Sequence, residues 1–204
     1  MNLLKKTIDY YNKHAFDYAS STVNVEFSAT QDRFLTLLPK GASILDFGCG
    51  SGRDTKYFLD RGFCVDALDG SKEFCKIASQ YTGIEVQQCF FEDFKATESY
   101  DGIWACSSIL HLPKIILRQV MEELVQAVKD GGYIYTSFKH GEFEGERNGR
   151  YFTYFTEESF RMFLRQIAGV EITDLWVSDD VRPGRGEEKW LNLILKKMDM
   201  TFQL

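Results

Sequence analysis

An acidic residue and three alternating glycines stand at the end of the first apolar strand of the sequence. The strand ends with Asp46 and Phe47. Gly48, Gly50 and Gly52 follow, and a helical pattern starts at Arg53. Glycine lets the backbone approach a ligand closely, because no Cβ blocks the contact and positive φ angles are accessible. The helix that follows directs unpaired N–H groups and the positive end of its dipole toward the turn. This order predicts a nucleotide-type pocket at the carboxyl edge of a parallel sheet.

The spacing of the glycines argues against a dinucleotide. The dinucleotide-binding pattern is G-x-G-x-x-G, whereas this turn reads G-x-G-x-G, and its nearby carboxylate would repel a pyrophosphate. The pattern resembles motif I of the class I S-adenosylmethionine-dependent methyltransferases, in which the acidic residue faces the positively charged methionine end of the cofactor, usually through water. The resemblance assigns five residues to the cofactor site: Asp46, Gly48, Gly50, Gly52 and Arg53. A plain strand–turn–helix, packed through its glycines, is the alternative.

A second predicted strand, Phe63 to Asp69, supports this interpretation. It ends about 20 positions after the glycine turn, where an acidic residue holds a ribose hydroxyl pair. Asp69 is therefore the predicted ribose ligand, and Gly70 and Ser71 lie beside it in the cofactor site. The alternative role for Asp69 is to cap the next helix, and both roles are compatible only if Ser71 is the cap.

The third predicted strand, Ile84 to Phe91, leads into an acidic loop. Family members place an acidic side chain of this loop against the adenine amine, beside an apolar wall. Asp93 and Phe94 fit that pair, and Glu92 is the competing carboxylate. A solvated acidic loop is the alternative.

The fourth predicted strand, Tyr100 to Ser107, enters a segment that resembles motif IV, whose residues floor the methyl-transfer site. This resemblance places Ser107 in the cofactor site. Tyr11 and Tyr18 resemble the aromatic residues of the N-terminal lid helix of many small-molecule methyltransferases. An aromatic face near a sulfonium offers a cation–π contact, so Tyr11 is assigned to the cofactor site. An ordinary apolar stripe on an amphipathic helix explains these tyrosines equally well.

Two histidines follow predicted strands at the cleft and are the candidates for catalytic residues. His111 lies just past the fourth strand and His140 just past the fifth. Either could act as a general base if the acceptor is a hydroxyl or a nitrogen that must lose a proton. A soft acceptor such as a thiolate requires no base, because placement of the nucleophile and exclusion of water supply most of the rate.

Arginines on two loops are the candidates for substrate binding. In an open α/β sheet the ligand lies outside the carboxyl ends of the strands, where the loops after strands five and six emerge. These loops carry Arg147, Arg150, Arg182 and Arg185. Such side chains could hold an anionic substrate through bidentate contacts. The alternative is that they pair with neighbouring acidic residues, which are Glu142, Glu144, Glu146, Asp179, Asp180, Glu187 and Glu188.

The elements that position these residues alternate along the chain. Predicted strands near residues 43, 64, 85 and 101 alternate with helices near 53–61, 71–81 and 114–129, which is typical of a parallel α/β sheet. A fifth strand follows the glycines at 131 and 132, and the strands 170–177 and 190–195 should pair antiparallel because no helical pattern separates them. Together with the resemblance, this predicts a Rossmann-like fold, with a seven-stranded, mostly parallel sheet, an antiparallel last strand and helices on both faces. We expect one methyltransferase domain over residues 1–204, with a helical lid at 1–40 and an α/β core at 41–204.

Composition narrows the class of partner. The chain has 204 residues and a formal net charge of −6, which argues against a broad basic face for nucleic acid. Its five cysteines show no metal-ligand spacing, so we expect no metal site and a reducing compartment. No apolar stretch suits a signal peptide or a membrane span. A cytoplasmic protein, monomeric or homodimeric, without a membrane partner, is the expectation.

The predicted function is methyl transfer from S-adenosylmethionine to a small-molecule acceptor, an anionic one if the arginines face it. The stretches 46–54 and 104–111 resemble the tellurite-resistance-like small-molecule methyltransferases. No Asn-Pro-Pro-Tyr tetrapeptide follows the fourth strand, which argues against base or amide methylation. The alternatives are a nicotinamide oxidoreductase, a catalytically silent module that binds the cofactor and regulates a partner, and a tRNA-modifying methyltransferase.

Overall fold

The computed structural model describes residues 3–182 and 184–198. The helices in these ranges are Leu3–Thr22 (α1), Ser28–Leu35 (α2), Arg53–Asp60 (α3), Lys72–Thr82 (α4), Lys114–Ala127 (α5) and Glu157–Leu164 (α6). The strands are Ser43–Phe47 (β1), Cys64–Asp69 (β2), Gln87–Gln88 (β3), Tyr100–Ala105 (β4), Val128–Lys139 (β5), Glu144–Arg147 (β6), Arg150–Thr153 (β7), Val170–Asp179 (β8) and Lys189–Lys197 (β9). None of the described helices has both the length and the apolar character needed to cross a membrane.

Seven of the strands form one sheet, in the order β3-β2-β1-β4-β5-β9-β8. Neighbouring strands from β3 to β5 pair in parallel, and β9 runs antiparallel to both β5 and β8. The predicted seven-stranded sheet with a reversed last strand is therefore confirmed. Because the chain crosses from β1 to β2 on one side and later returns to β4 on the other, a crevice opens at the carboxyl ends of β1 and β4.

Helices cover both faces of this sheet, as alternation along a strand requires. On β4, the buried side chain of Ile103 packs in a core with residues of α5 and α6, such as Met121 and Phe160. The next residue, Trp104, points to the other face and packs in a core with Phe34 of α2 and with residues of α3. The carboxyl edge of the sheet is therefore the side at which loops can form a site.

Two boundaries differ from the predictions. The third strand is only two residues long, Gln87–Gln88, whereas the predicted strand runs over eight residues, from Ile84 to Phe91. The fifth strand begins at Val128 instead of after the glycines, because α5 ends at Ala127 and the chain enters the sheet without a loop. Gly131, with a φ of +73°, lies within β5, where the register with β4 shifts.

The segment after β5 is a hairpin and not the predicted loop. Strands β6 and β7 pair antiparallel, and Asn148 and Gly149 between them have φ angles of +51° and +76°. Positive φ at both central residues is the geometry of a two-residue type I′ turn, for which Asn-Gly is the favoured dipeptide. This turn places Arg147 and Arg150 directly opposite each other on the two strands.

Candidate active site

A cavity of about 830 Å³ lies at the carboxyl edge of the sheet, beside the ends of β1 and β4. Its walls come from the glycine turn after β1, the hairpin of β6 and β7, residues of the segments 178–182 and 184–190, and the helix α1. A second cavity of about 460 Å³ is lined by α1 and by residues that follow β2 and β3. The residues that line both cavities are Thr7, Ile8, Gly70, Phe91 and His111. The two cavities thus adjoin and form one candidate site.

The glycine turn presents bare backbone to this site. Gly48 and Gly50 line the first cavity, and Gly50 has a φ of +54°. A Cβ added at Gly50 would meet no atom within 4 Å, so space remains in front of this backbone. Gly52 lies outside the cavity walls, because it packs against α4, where an added Cβ would come within 2.8 Å of Thr82 Cγ2.

Asp69 lies at the end of β2 and lines the first cavity. Its carboxylate accepts backbone N–H groups from Gly50 at 2.9 Å and Ser71 at 2.8 Å. Burial raises the pKa of Asp69 to about 6. Ser71 caps α4, because its Oγ accepts the N–H of Phe74 at 3.2 Å. The buried Ser71 side chain therefore supports the helix behind the cavity wall, and the Asp69 carboxylate needs no role as the cap.

Asp46 is not on the cavity wall, contrary to the prediction. Its side chain is 2% exposed, and its Oδ2 accepts the hydroxyl of Thr55 at 2.6 Å. Burial, and then the nearby carboxylate of Asp54, raise the pKa of Asp46. The physical reason is that the strand directs this side chain behind the turn, toward the first turn of α3, and not into the crevice.

Replacement of Asp46 by asparagine is expected to change the free energy of unfolding by less than about 1 kcal/mol at pH 7, because a raised pKa leaves little charge to remove. The matched control is Asp101→Asn. Asp101 accepts bonds from Lys129 Nζ at 2.9 Å and Ser43 Oγ at 2.7 Å, so its loss should cost about 1–2 kcal/mol. Urea denaturation of both variants is the measurement, and a larger cost for Asp46→Asn would contradict this account.

Arg53 and Asp54, the first residues of α3, both line the cavity. The guanidinium of Arg53 donates to both carboxylate oxygens of Asp54, at 2.8 and 2.9 Å, and stacks over the Phe27 ring. Asp54 also accepts Gln31 Nε2 at 2.6 Å and Trp104 Nε1 at 2.8 Å. This network fixes a buried cation at the helix start, where the remaining N–H groups of Arg53 could bind a carboxylate.

Of the three candidates in the acidic loop after β3, the structure brings Glu92 to the cavities, but not Asp93 or Phe94. Phe94 lies in the core against Phe47, and Asp93 is exposed and lines neither cavity. Glu92 lines the second cavity. The apolar wall is formed by Phe91, which stacks on Phe47 with ring centroids 4.6 Å apart. The 3-10 turn at residues 91–93 explains the difference, because it rotates successive side chains away from each other.

The end of β4 closes the floor of the first cavity. Ser107 lines the cavity with a φ of +52°, and its N–H donates to Ser137 Oγ at 2.9 Å. Ser108 donates its hydroxyl to the carbonyl oxygen of Phe47 at 2.6 Å. These two bonds tie the end of β4 to both neighbouring strands, so the floor of the cavity is held rigidly.

Both predicted histidines line the first cavity, in different surroundings. His111 is buried, and its two ring nitrogens lie 2.7 Å from Tyr11 Oη and 2.6 Å from the carbonyl oxygen of Tyr151. Burial lowers the pKa of His111 to about 4. His140 is part-exposed, and its Nε2 lies 2.8 Å from a carboxylate oxygen of Glu157. His111 is thus held neutral within the protein, and His140 forms an ion pair when it is protonated.

All four predicted arginines line the first cavity, and two of them are paired with carboxylates. Arg182 Nε donates to Asp180 at 2.9 Å, and Arg182 also reaches Tyr18 Oη at 3.4 Å. Arg185 lies 3.6 Å from Glu188. The alternative of pairing with neighbouring acidic residues therefore applies to these two arginines.

Arg147 and Arg150 are different, because no carboxylate of the described residues lies within 4.0 Å of either guanidinium. Arg147 stacks over Phe143, 4.6 Å from the ring centroid. Arg150 stacks over Tyr10 at 4.6 Å, its NH1 donates to Tyr11 Oη at 3.4 Å, and its Nε is buried without a hydrogen-bond partner among the described residues. The acidic residues of the hairpin bind elsewhere, Glu144 to Lys114 and Glu146 to Lys6.

Lys139 is a cavity residue that the sequence reasoning did not single out. It is the last residue of β5, and its Nζ lies 3.4 Å from Asp180 and also pairs with Glu188. Burial lowers its pKa to about 8. Its position at the carboxyl end of a central strand is the signal that could have found it. Trp190 of β9 completes this wall and donates its Nε1 to Asp180 at 3.0 Å.

Known proteins share both this fold and part of this sequence. Among solved structures, a Burkholderia thailandensis 1,6-didemethyltoxoflavin-N1-methyltransferase, with bound 1,6-didemethyltoxoflavin and S-adenosylhomocysteine, superposes with a TM-score of 0.77. The two chains are 21% identical, and the match covers 97% of this chain and 88% of that one. DhpI in complex with S-adenosylhomocysteine superposes with a TM-score of 0.73 at 20% identity, over 96% and 97% of the two chains. The fold is that of the class I S-adenosylmethionine-dependent methyltransferases.

Sequence comparison agrees with the fold. Residues 44–132 match a family model described as a methyltransferase domain. The chain is 29% identical over 126 residues to a 2-methyl-6-phytyl-1,4-hydroquinone methyltransferase of Synechocystis sp., and 32% identical over 129 residues to a malonyl-[acyl-carrier protein] O-methyltransferase of Salmonella typhimurium. Each match covers 59% of this chain, but the chain spans only 39% and 50% of these relatives. Residues 44–132 are therefore similar to a methyltransferase domain. Membership of the class I S-adenosylmethionine-dependent methyltransferases and kinship with the tellurite-resistance-like group stay predictions.

Proposed function

We propose that this protein transfers a methyl group from S-adenosylmethionine to a small anionic acceptor. The observation that carries the anionic character is the pair Arg147 and Arg150. Like charges directly opposite each other on paired strands are destabilising, and a partly buried cation without a counterion is costly. An anionic group of the acceptor supplies the missing charge. In the part of the chain that the structure describes, the NH1 group of each arginine makes only a long bond to a tyrosine hydroxyl, at 3.5 Å for Arg147 and 3.4 Å for Arg150, so both guanidinium groups keep N–H donors for an anion.

The residues of the site fit the cofactor. Asp69 has acceptor capacity left for a ribose hydroxyl pair, and Glu92 lies beside the apolar wall of Phe91 for an adenine amine. Arg53 is placed for the methionine carboxylate, and the ring of Tyr11 offers a cation–π contact to the sulfonium. The cofactor supplies an activated methyl group whose leaving group is a neutral thioether. The aromatic and aliphatic walls exclude water, which favours transfer to the acceptor over hydrolysis.

We propose residues 1–40, which include helix α1, as the lid of this site, within one domain over residues 1–204. Helix α1 lies over the hairpin, where Thr7 Oγ1 accepts the N–H of Tyr151 at 3.0 Å and Lys6 pairs with Glu146 at 3.0 Å. Ile8 lies close to the backbone of Gly70, since a Cβ added there would come within 2.6 Å of Ile8 Cδ1. These contacts must open for entry of the cofactor, so lid movement is part of the proposed cycle.

The names of the similar proteins support a small acceptor. The two curated relatives are named for 2-methyl-6-phytyl-1,4-hydroquinone and for malonyl-[acyl-carrier protein], and the solved structure for 1,6-didemethyltoxoflavin. A cavity of about 830 Å³ agrees with an acceptor group of the size of the last of these.

The experiment that tests the proposal uses purified protein, methyl-labelled S-adenosylmethionine and a cell metabolite extract. Separation of the extract by anion exchange before the reaction shows which class of metabolite gains label. We expect label in an anionic fraction and none with a Gly50→Leu variant. Label only in neutral or cationic fractions would refute the anionic acceptor, and binding of nicotinamide dinucleotide without binding of S-adenosylmethionine would refute the function itself.

The ribose assignment predicts a pH dependence for cofactor binding. The carboxylate of Asp69 accepts ribose hydroxyls only when ionised, so affinity for S-adenosylhomocysteine should be constant above pH 7. Affinity should fall toward tenfold per pH unit below about pH 6, where protonation of Asp69 removes the acceptor. Asp69→Asn should bind about tenfold more weakly at pH 7.5 and lose this pH dependence. Calorimetry from pH 5 to 8 is the measurement.

The control for this prediction is Asp179→Asn. Asp179 also lines the cavity but is mostly exposed and pairs with Lys189. It should leave both the affinity and its pH dependence unchanged. An unaltered profile in Asp69→Asn would show that Asp69 does not hold the ribose.

A further inference from the structure

Tyr11 and His111 join α1 to the floor of the site through an unusual hydrogen-bonded chain. Tyr11 Oη lies 2.7 Å from His111 Nε2, and His111 Nδ1 lies 2.6 Å from the carbonyl oxygen of Tyr151. Both side chains line the first cavity, and His111 also lines the second. The chain therefore begins at the cavity and ends on a backbone carbonyl inside the protein.

The direction of this chain follows from its last member. A carbonyl oxygen can only accept, so His111 Nδ1 carries a hydrogen and donates it to Tyr151. Burial, and to a smaller extent the charge of Arg150, keep the pKa of His111 at about 4, so the imidazole is neutral and its Nε2 has a free lone pair. Tyr11 must then donate its hydroxyl hydrogen to Nε2. Burial raises the pKa of Tyr11, which keeps this hydrogen in place.

We propose that Tyr11 takes a proton from the acceptor while its own proton passes to His111, and that the acceptor is therefore a protic nucleophile, a hydroxyl or a ring N–H. This inference rests on the proposed methyl transfer. The only hydrogen of the Tyr11 hydroxyl points at His111, so the Tyr11 oxygen can accept; Arg150 NH1 makes a long contact with it at 3.4 Å, and its second lone pair is available to the acceptor. A thiolate or carboxylate acceptor has no proton to lose, so it would not need the proton transfer through Tyr11 and His111.

The step balances in atoms and charge. The acceptor O–H or N–H bond breaks, and its proton moves to Tyr11 Oη as the Tyr11 proton moves to His111 Nε2. The freed electron pair of the acceptor forms a bond to the methyl carbon, and the methyl–sulfur bond breaks with its electrons left on sulfur. One positive charge is lost at sulfur, and one appears on the imidazolium, so the net charge of the site is unchanged.

An anionic acceptor would also assist the proton transfer. Among the described residues, the charged and titratable groups near the pair include Arg150 from β7, whose NH1 reaches Tyr11 Oη at 3.4 Å, and Tyr10 and Tyr18 from α1. Arg182 also lies close enough for its charge to act on Tyr11. The positive charge of Arg150 disfavours an imidazolium at His111. An anion bound to Arg150 compensates that charge, which makes His111 a stronger base only when the acceptor is in place. The basicity of His140 is not coupled to acceptor binding in this way, because its Nε2 is bound to the part-exposed Glu157.

The first test needs no acceptor. In ¹⁵N-histidine-labelled protein, NMR at pH 6 should show His111 as a neutral imidazole with the hydrogen on Nδ1. Tyr11→Phe should shift the Nε2 resonance and leave the hydrogen on Nδ1. A hydrogen on Nε2, or an imidazolium at pH 6, would overturn the proposal whether or not the protein transfers methyl groups.

The second test uses the anionic metabolite that gains label and compares the pH dependence of kcat. Tyr11→Phe and His111→Gln should lower kcat at pH 7 by about 100-fold. Their rates should rise tenfold per pH unit and approach the wild-type rate above the pKa of the acceptor itself, since only the ionised acceptor then reacts. Affinity for S-adenosylhomocysteine, measured by calorimetry, should change by less than about threefold, because Tyr11→Phe keeps the ring.

The control is Phe152→Leu, since the Phe152 ring packs on His111 with centroids 4.7 Å apart but carries no proton. It should lower kcat without the rise with pH. A methylated sulfur or carboxylate in the product would overturn the proposal and leave the methyltransferase function intact. If the lowered kcat that rises with pH were found in His140→Gln and not in His111→Gln, the proposal would be overturned as well.

Discussion

Replacement of Arg150 by methionine is expected to stabilise the ligand-free protein and to weaken acceptor binding at the same time. The guanidinium is partly buried among aromatic rings, its Nε has no hydrogen-bond partner, and Arg147 faces it across the hairpin. Methionine keeps the packing and removes an uncompensated charge, which should add about 0.5–1 kcal/mol to the free energy of unfolding. Loss of a charge-assisted contact should raise the KM for the anionic acceptor by about 30-fold or more.

The matched control is Arg182→Met, for which we expect the opposite effect on stability. Burial alone would raise the pKa of Asp180, but hydrogen bonds from Arg182 hold this pKa below its usual range. The Asp180 side chain is 2% exposed, so loss of the Arg182 guanidinium leaves a buried carboxylate that keeps its bonds from Lys139, Trp190 and the backbone N–H of residue 182 but loses its nearest cation. We expect a cost of about 2–3 kcal/mol.

Thermal and urea denaturation of the two variants without ligand distinguish these outcomes. A stabilisation of about 1 kcal/mol corresponds to a rise in Tm of about 2–4 °C for a chain of this size. Equal destabilisation by both substitutions would show that Arg150 is a structural residue, and it would remove the main support for an anionic acceptor.

The sequence predicts the elements that periodicity defines and misses those that a single turn defines. The alternation of apolar runs and helical patterns is enough to predict the parallel sheet and its reversed last strand. The hairpin of β6 and β7 was predicted as a loop, because its strands are four residues long and largely polar. The signal was present, since Asn148-Gly149 is a strong indication of a type I′ turn between strands.

Contacts between distant residues are the part of the site that a pattern does not show. The motif predicts a carboxylate at Asp46 facing the ligand, but the buried bond to Thr55 turns that side chain away. At the start of α3, the carboxylate that lines the cavity is that of Asp54, which is held by Gln31 from α2 and Trp104 from β4. Neither partner is near Asp54 in sequence, so this network follows from the packing of the helices on the sheet.

Contacts between distant residues also decide which of the four arginines are paired with a carboxylate. All of them lie at the predicted edge of the sheet, because the carboxyl ends of the strands define that edge. Which of them are free depends on the partners of the acidic residues around them. Glu146 reaches Lys6 of α1, which is 140 residues away in sequence, and this leaves Arg147 without a neighbouring carboxylate. The sequence contains both charges but does not show that the N-terminal helix removes one of them from the hairpin.

Leucine at position 50 is expected to weaken binding of S-adenosylhomocysteine by at least about 100-fold, or about 3 kcal/mol. The Gly50 backbone lines the cavity, and a side chain there would enter the space in front of the turn, since no atom lies within 4 Å of an added Cβ. The matched control is Gly62→Leu. Gly62 also has a positive φ, +82°, and open space around an added Cβ, but it lies outside both cavities.

Both leucine variants should lose about 1–2 kcal/mol of stability, because an L-residue with a side chain disfavours the left-handed conformation. Only Gly50→Leu should lose cofactor affinity, because only there does the side chain occupy the space of the ligand. Urea denaturation measures the shared cost, and calorimetry with S-adenosylhomocysteine measures the specific one. Equal affinity in the two variants would mean that the cofactor does not lie against the glycine turn. The assignment of Asp69 to the ribose and of Arg53 to the methionine carboxylate would then be wrong as well.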